Sequence, residues 1–147
     1  MKNLIVIPLV VTAALVGCQP QAEEKTQAAV EREMQQPLWA GHYEGTTPCM
    51  GCLSRCDDCP GMHVTLHLHE DGHFTLVRNS LSGHNDVETL TGSIRFLNMD
   101  KTQLELLHVN KRNLLVVDLQ KQHLEIRQDE TAKSHQMQSD FILVKNI

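Results

Sequence analysis

Downstream of residue 38 the chain repeats one pattern: short runs with an apolar residue at every second position, each ended by turn-forming residues. The clearest run is MHVTLHLHE, residues 62–70. Successive side chains of an extended strand point to opposite faces. Val64, Leu66 and Leu68 therefore share one face and His63, Thr65, His67 and His69 the other, so the first set is core and the histidines face solvent or a barrel mouth. Similar runs fall at 39–45, 73–79, 88–96, 103–109, 114–119, 123–127 and 140–145, and no long helical period appears beyond residue 37. Asp71-Gly72 between two such runs is a strong hairpin signal. Asp100-Lys101, residues 110–113 and Gln120-Lys121 are further tight turns. Short strands at this spacing predict an all-β fold, an antiparallel barrel or sandwich of about six to eight strands. Closing a barrel also removes the sheet edges that invite aggregation.

The N-terminus reads differently. Lys2 precedes an apolar run from Leu4 to Val16. The run is too short to cross a bilayer as a helix, which takes about 20 residues, but it has the layout of a secretory signal. Leu15-Val16-Gly17-Cys18 looks like the lipobox of bacterial lipoproteins. Residues 1–17 are thus expected to be a signal peptide, with Cys18 acylated as the first mature residue. Several acyl chains make a stable anchor, where one chain binds only reversibly. Gln19 stands where an aspartate favours inner-membrane retention, so the resemblance sends the protein to the outer membrane, facing the periplasm. Residues 18–37 then form the lipid anchor and a polar, Gln- and Glu-rich tether, and residues 38–147 form the folded domain. The formal net charge of −5 becomes one unit more negative without Lys2. This charge argues against nucleic acid as a partner, because phosphate binding needs a basic face.

Four of the five cysteines lie in PCMGCLSRCDDCPGM: Cys49, Cys52, Cys56 and Cys59. In an oxidising envelope an even set suggests disulfides, and four cysteines allow three pairings that the sequence leaves open. Metal binding is the second reading. Two Cys-x-x-Cys units only three residues apart are too close for paired zinc knuckles, whereas close thiolates suit soft Cu(I). Met50 and Met62 flank the cluster and offer thioether sulfur, although Met62 fits strand core equally well. Thiol catalysis is the third reading, and Asp57 and Asp58 oppose the thiolate it needs. His63, His67, His69 and His73 gather around one hairpin and form a second candidate set for an oxidised metal, against the plain reading of solvated side chains. His42, His84, His108, His123 and His135 are scattered and carry no assignment. No nucleophile elbow, phosphate loop or carboxylate pair stands out.

Several of these residues resemble the N-terminal domain of the NlpE family. They are Trp39, Gly41, Tyr43 and Gly45 leading into Thr46-Thr47-Pro48-Cys49; then Asp58-Cys59 with Gly61-Met62; then Leu66, Leu68, Asp71-Gly72 and Phe74. Thr91-Gly92-Ser93-Ile94 and Phe141-Ile142-Leu143 extend the likeness across residues 38–145. The family comprises outer-membrane lipoproteins linked to copper resistance and to the Cpx envelope-stress pathway. The resemblance implies a lipocalin-like barrel and a non-enzymatic lipoprotein that senses or buffers copper or redox stress and signals to an envelope-stress partner. The alternatives are a disulfide-stapled barrel that binds a small apolar ligand or a protein such as lysozyme, and a thiol–disulfide oxidoreductase. Copper is the one cofactor in view. The C-terminal domain that some members carry finds no counterpart before Ile147. The family loop has one Pro-Cys-x-x-Cys-x-Gly. Here residues 50–57, with a second cysteine pair, separate its two halves, so no single cysteine role carries over.

Overall fold

The computed structural model describes residues 36–83 and 87–147. The expected signal peptide, Cys18 and most of the expected tether lie outside the described residues. Eight strands follow one another: β1 (Gly41–Thr47), β2 (Met62–Leu68), β3 (His73–Ser80), β4 (Glu88–Phe96), β5 (Gln103–Leu106), β6 (Leu114–Asp118), β7 (His123–Ile126) and β8 (Ile142–Asn146). Each pairs antiparallel with the next, and β8 returns to β1, with Tyr43 opposite Lys145, to close the barrel. The alternation read from the sequence sets the two faces. Tyr43, Val64, Leu66, Leu68, Phe74, Leu76, Leu104, Leu106, Leu115, Val117, Leu124, Ile126 and Leu143 point inward and are buried. His42, Glu44, Thr65, Thr75, Arg95 and Glu105 take outward positions. An apolar inside under a polar, charged outside is the inverse of a membrane-spanning barrel.

Several strand ends depart from expectation, and three have a plain local reason. β1 starts at Gly41 rather than residue 39, because Ala40 N–H turns back to Pro37 O at 2.8 Å. Trp39 then closes the barrel mouth, its ring edge-on to Phe96 at 5.0 Å. β5 stops at Leu106 rather than residue 109, because His108 takes a left-handed backbone, φ 64°. β8 starts at Ile142 because Gln138–Phe141 forms a 3₁₀ turn. That turn also covers Glu125, an outward position on β7 that is nevertheless buried. Glu125 Oε2 accepts from Gln138 Nε2 at 2.8 Å and pairs with Arg127 Nη2 at 2.9 Å.

Tyr43 ties the core to the chain entry. Its buried hydroxyl donates to Trp39 O at 2.9 Å, and burial pushes the phenol up to about 12. Tyr43→Phe leaves that carbonyl without its donor. It is expected to lower the unfolding free energy by about 1 kcal/mol, read as a shifted urea midpoint with an unchanged slope.

Among the described residues, inward side chains fill the interior. The cavity lined by Met62, Val64, Leu66, Leu76, Arg78 and their inward neighbours is about 10 Å³. That is room for about one water, far below the few hundred Å³ that a small-molecule site needs.

Candidate functional site

The cysteine segment spans the gap between β1 and β2 at one barrel end. Thr47 and Pro48 at its start are buried. Cys52 N–H bonds Cys49 O at 2.9 Å, and Cys59 N–H bonds Cys56 O at 3.1 Å, so each Cys-x-x-C limb makes its own tight turn. At the exit Gly61 has φ 94°, and a Cβ there would sit 2.5 Å from Thr47 O. Only glycine lets the two ends of the loop come this close.

Each of the three pairings open in the sequence has two bridges; the structure holds one bridge rather than two, Cys49–Cys59, which joins the outermost cysteines across a separation of 10. Neither Cys-x-x-Cys closes on itself. Cys52, half-buried, and Cys56, exposed, remain free thiols inside the stapled ring.

Two contacts from distant segments hold the ring in place. Arg112, in the β5–β6 turn, reaches across the barrel end. Its Nη1 donates to Pro48 O at 2.7 Å and Thr47 Oγ1 at 3.1 Å, and its Nη2 to Cys49 O at 2.8 Å and Cys52 O at 3.4 Å. The guanidinium lies 5.1 Å over the Phe141 ring, and the Arg112 backbone N–H donates to Asp129 Oδ1 at 2.7 Å. Burial, then the charge of Arg78, pulls the Arg112 pKa down, while Asp129 and a Cys52 thiolate push it back up. Arg112 thus lies against the Cys52 backbone, a cationic neighbour that the sequence, with Asp57 and Asp58 in view, did not suggest. The second contact is the carboxylate of Asp140, which takes Arg55 N–H at 3.0 Å and Arg55 Nε at 3.1 Å. The backbone bond from Arg55 is the main reason that the Asp140 pKa falls below the usual carboxylate range.

Beside the ring runs a groove of about 230 Å³ lined by Met50, Cys52, Lys111, Arg112, Asp129 and His135, among others. His135 stacks on Phe141 at 3.6 Å, and its buried Nε2 has no partner. Burial lowers the His135 pKa. Met50 and Cys52 thus stay together as expected, and His135 joins them from a distant loop. Met62 packs against the core instead.

The expected histidine set divides. His63 stays beside Thr65, 3.4 Å from its hydroxyl, and His73 pairs with Asp71 at 3.2 Å. His67 and His69 meet, ring centroids 3.8 Å apart, and His42, unassigned from sequence, stacks on His67 at 3.6 Å. Burial first, then the charges of His42 and His69, lowers the His67 pKa. This patch sits toward the far end of β1 and β2 from the cysteine ring. Among the described residues, no three His, Cys, Asp or Glu side chains already surround a single point as metal ligands.

An eight-stranded up-and-down barrel with a filled interior and a stapled end loop belongs to the lipocalin-like class of small barrels. The family model for the NlpE N-terminal domain matches residues 43–135, and the chain belongs to the NlpE family. Among solved structures, a protein from Shewanella oneidensis assigned as a lipoprotein shares the fold, with a TM-score of 0.57 at 22% identity, over 74% of this chain and 89% of that one. Comparison with curated proteins returns no match.

Proposed function

We propose that this is a non-enzymatic, lipid-anchored envelope protein whose end loop binds copper as Cu(I), or changes thiol state, under envelope stress. The observation that carries the reading is the division of labour among the four cysteines. Cys49–Cys59 staples the ring, while Cys52 and Cys56 remain as thiols in a loop already fixed by Arg112 and Asp140. Two soft sulfur donors, with the Met50 thioether beside Cys52, suit Cu(I), which accepts low coordination numbers. Metal binding takes the thiolate form of these cysteines, and the Arg112 fork already fixes the backbone at Cys49 and Cys52. Pairing across the two Cys-x-x-Cys units, rather than within one, argues against a thioredoxin-like oxidoreductase. The filled interior argues against an apolar ligand inside the barrel. The leader and lipobox support an anchor at Cys18 on the periplasmic face of the outer membrane. Family membership supports relay of the loop's state to an envelope-stress partner.

The test is an anaerobic Cu(I) titration of the full chain carrying Cys18→Ser, so that no thiol outside the loop competes, with ascorbate as reductant so that the disulfide survives. That chain is expected to hold one Cu(I), and the same chain with Cys52→Ser/Cys56→Ser to bind at least about a hundredfold more weakly. Equal affinity in the two proteins would remove the loop from the proposal.

A further inference from the structure

We propose that His42, His67 and His69 form a second metal site, for a late first-row divalent cation bound through imidazole nitrogen, on the outer face of β1 and β2. The site is independent of the thiol loop in both place and chemistry.

The register brings the three together. His42 stands directly opposite His67 in the β1–β2 ladder, and His69 follows two residues on, on the same face. Directly opposed residues have Cβ atoms about 5 Å apart, and diagonal ones about 7–8 Å. An imidazole nitrogen lies a few ångströms beyond its Cβ, and metal–nitrogen bonds run about 2.0–2.1 Å. Three rings so placed can close on one ion above the sheet.

In the present arrangement they stack instead, His42 on His67 at 3.6 Å and His67 against His69 at 3.8 Å. Closing on an ion takes rotation of His42 and His67 about their side-chain bonds. His42 is exposed and His67 only partly covered, so both have room to turn.

His69 is already oriented. One of its nitrogens, Nε2, lies 3.1 Å from Thr75 Oγ1 on the neighbouring strand. Metal-binding histidines characteristically engage their second nitrogen in such a bond, which fixes the ring and presents the first. Here Nδ1 of His69 is the nitrogen presented. An all-imidazole set prefers Cu, Zn and Ni over Mg or Ca, and within the divalent series Cu(II) binds tightest.

The patch is separated from the cysteine ring by most of the length of β1. From His42 to Pro48 the chain advances about 20 Å at the usual rise of a strand. The two sites can therefore be separated by mutation.

The test uses the full chain with Cys18, Cys52 and Cys56 changed to Ser, so that no free thiol competes, titrated with CuCl2 and followed by electron paramagnetic resonance. One Cu(II) per chain is expected, with hyperfine splitting from more than one nitrogen. His67→Gln, which removes the central ring, is expected to weaken binding at least about tenfold, as is His42→Gln. Thr75→Val is expected to weaken it by up to about tenfold while keeping the number of nitrogen ligands. His108→Gln, which removes an exposed histidine elsewhere, is expected to change nothing. Absence of Cu(II) binding, or equal binding by the His42→Gln/His67→Gln/His69→Gln protein, would overturn the proposal. So would a loss for His108→Gln as large as that for His67→Gln. His42, His67, His69 and Thr75 lie on the outer face of the barrel and His108 in the exposed turn after β5, so circular dichroism is expected to report unchanged folding.

Discussion

Arg112→Ala is expected to lower the unfolding free energy by about 3 kcal/mol, measured by urea denaturation. The side chain donates to four acceptors on Thr47, Pro48, Cys49 and Cys52, and it caps the Phe141 ring. Hydrogen bonds from a charged donor contribute about 1.5–3 kcal/mol each, and four on one group do not add in full. Alanine leaves the buried start of the loop, Thr47 and Pro48, without its donor, and removes the lock between the β5–β6 turn and the cysteine ring. Arg112→Lys is expected to restore no more than about a third of the loss, because an ammonium is a single point of charge and does not span the acceptors of a fork. Limited proteolysis within residues 50–58 is expected to accelerate in step with the loss. A change below about 1 kcal/mol, with unchanged cleavage, would mean that the disulfide alone holds the loop.

Arg112 also shows where sequence reading stops. It sits in Lys111-Arg112-Asn113, a stretch that reads as an ordinary turn, and its φ of 55° confirms the turn. Its acceptors lie 60 to 65 positions back in the chain. No spacing rule connects a turn to a loop that far away, because the contact exists only once the barrel closes. His42 is hidden for the same reason. It is one histidine in a short strand, and it becomes part of a patch only when the register sets it against His67.

The fold itself was more legible, because it rests on local alternation. In β2 and β3 the apolar positions set the buried face, and Asp71-Gly72 sets the hairpin. Gly72 takes φ 84°, and the Asp71 carboxylate accepts His73 N–H at 3.1 Å. That prediction held because the forces that fix it act within a few residues. The strand ends near residues 39, 107 and 140 held less well, because each is decided by a turn of the backbone that apolar alternation does not report: the Ala40–Pro37 bond, the left-handed His108 and the 3₁₀ turn before Ile142. Glu125 escaped for a related reason. Strand alternation marks it as a solvent position, and only the overlying turn buries it. The cysteine pairing lies between these extremes. The sequence allows three two-bridge solutions, and the structure holds only the outer bridge of one of them, where Gly61 brings the exit of the loop against Thr47.

That pairing leads to the second large effect. Cys49→Ser/Cys59→Ser is expected to lower stability by about 3 kcal/mol, the chain-entropy value for a closed loop of about this length. Cys52→Ser/Cys56→Ser is expected to change it by less than about 0.5 kcal/mol, since neither thiol carries a cross-link and Cys56 is exposed. The contrast matters because both pairs look alike in sequence, each contributing one cysteine to each Cys-x-x-Cys. Without its staple the limb from Asp57 to Pro60 loses its attachment to Cys49, whereas Arg112 still grips the limb from Thr47 to Cys52. The damage is therefore expected on the exit side of the loop, seen as faster amide exchange at residues 56–61 than at 47–52. The chemical counterpart is alkylation without reductant, with the reagent expected to label Cys52 and Cys56 and to spare Cys49 and Cys59. Equal stability loss in the two double variants, or labelling of Cys49 or Cys59, would mean that the outer pair is not the staple. The inner thiols would then no longer be the ones left free to hold a metal.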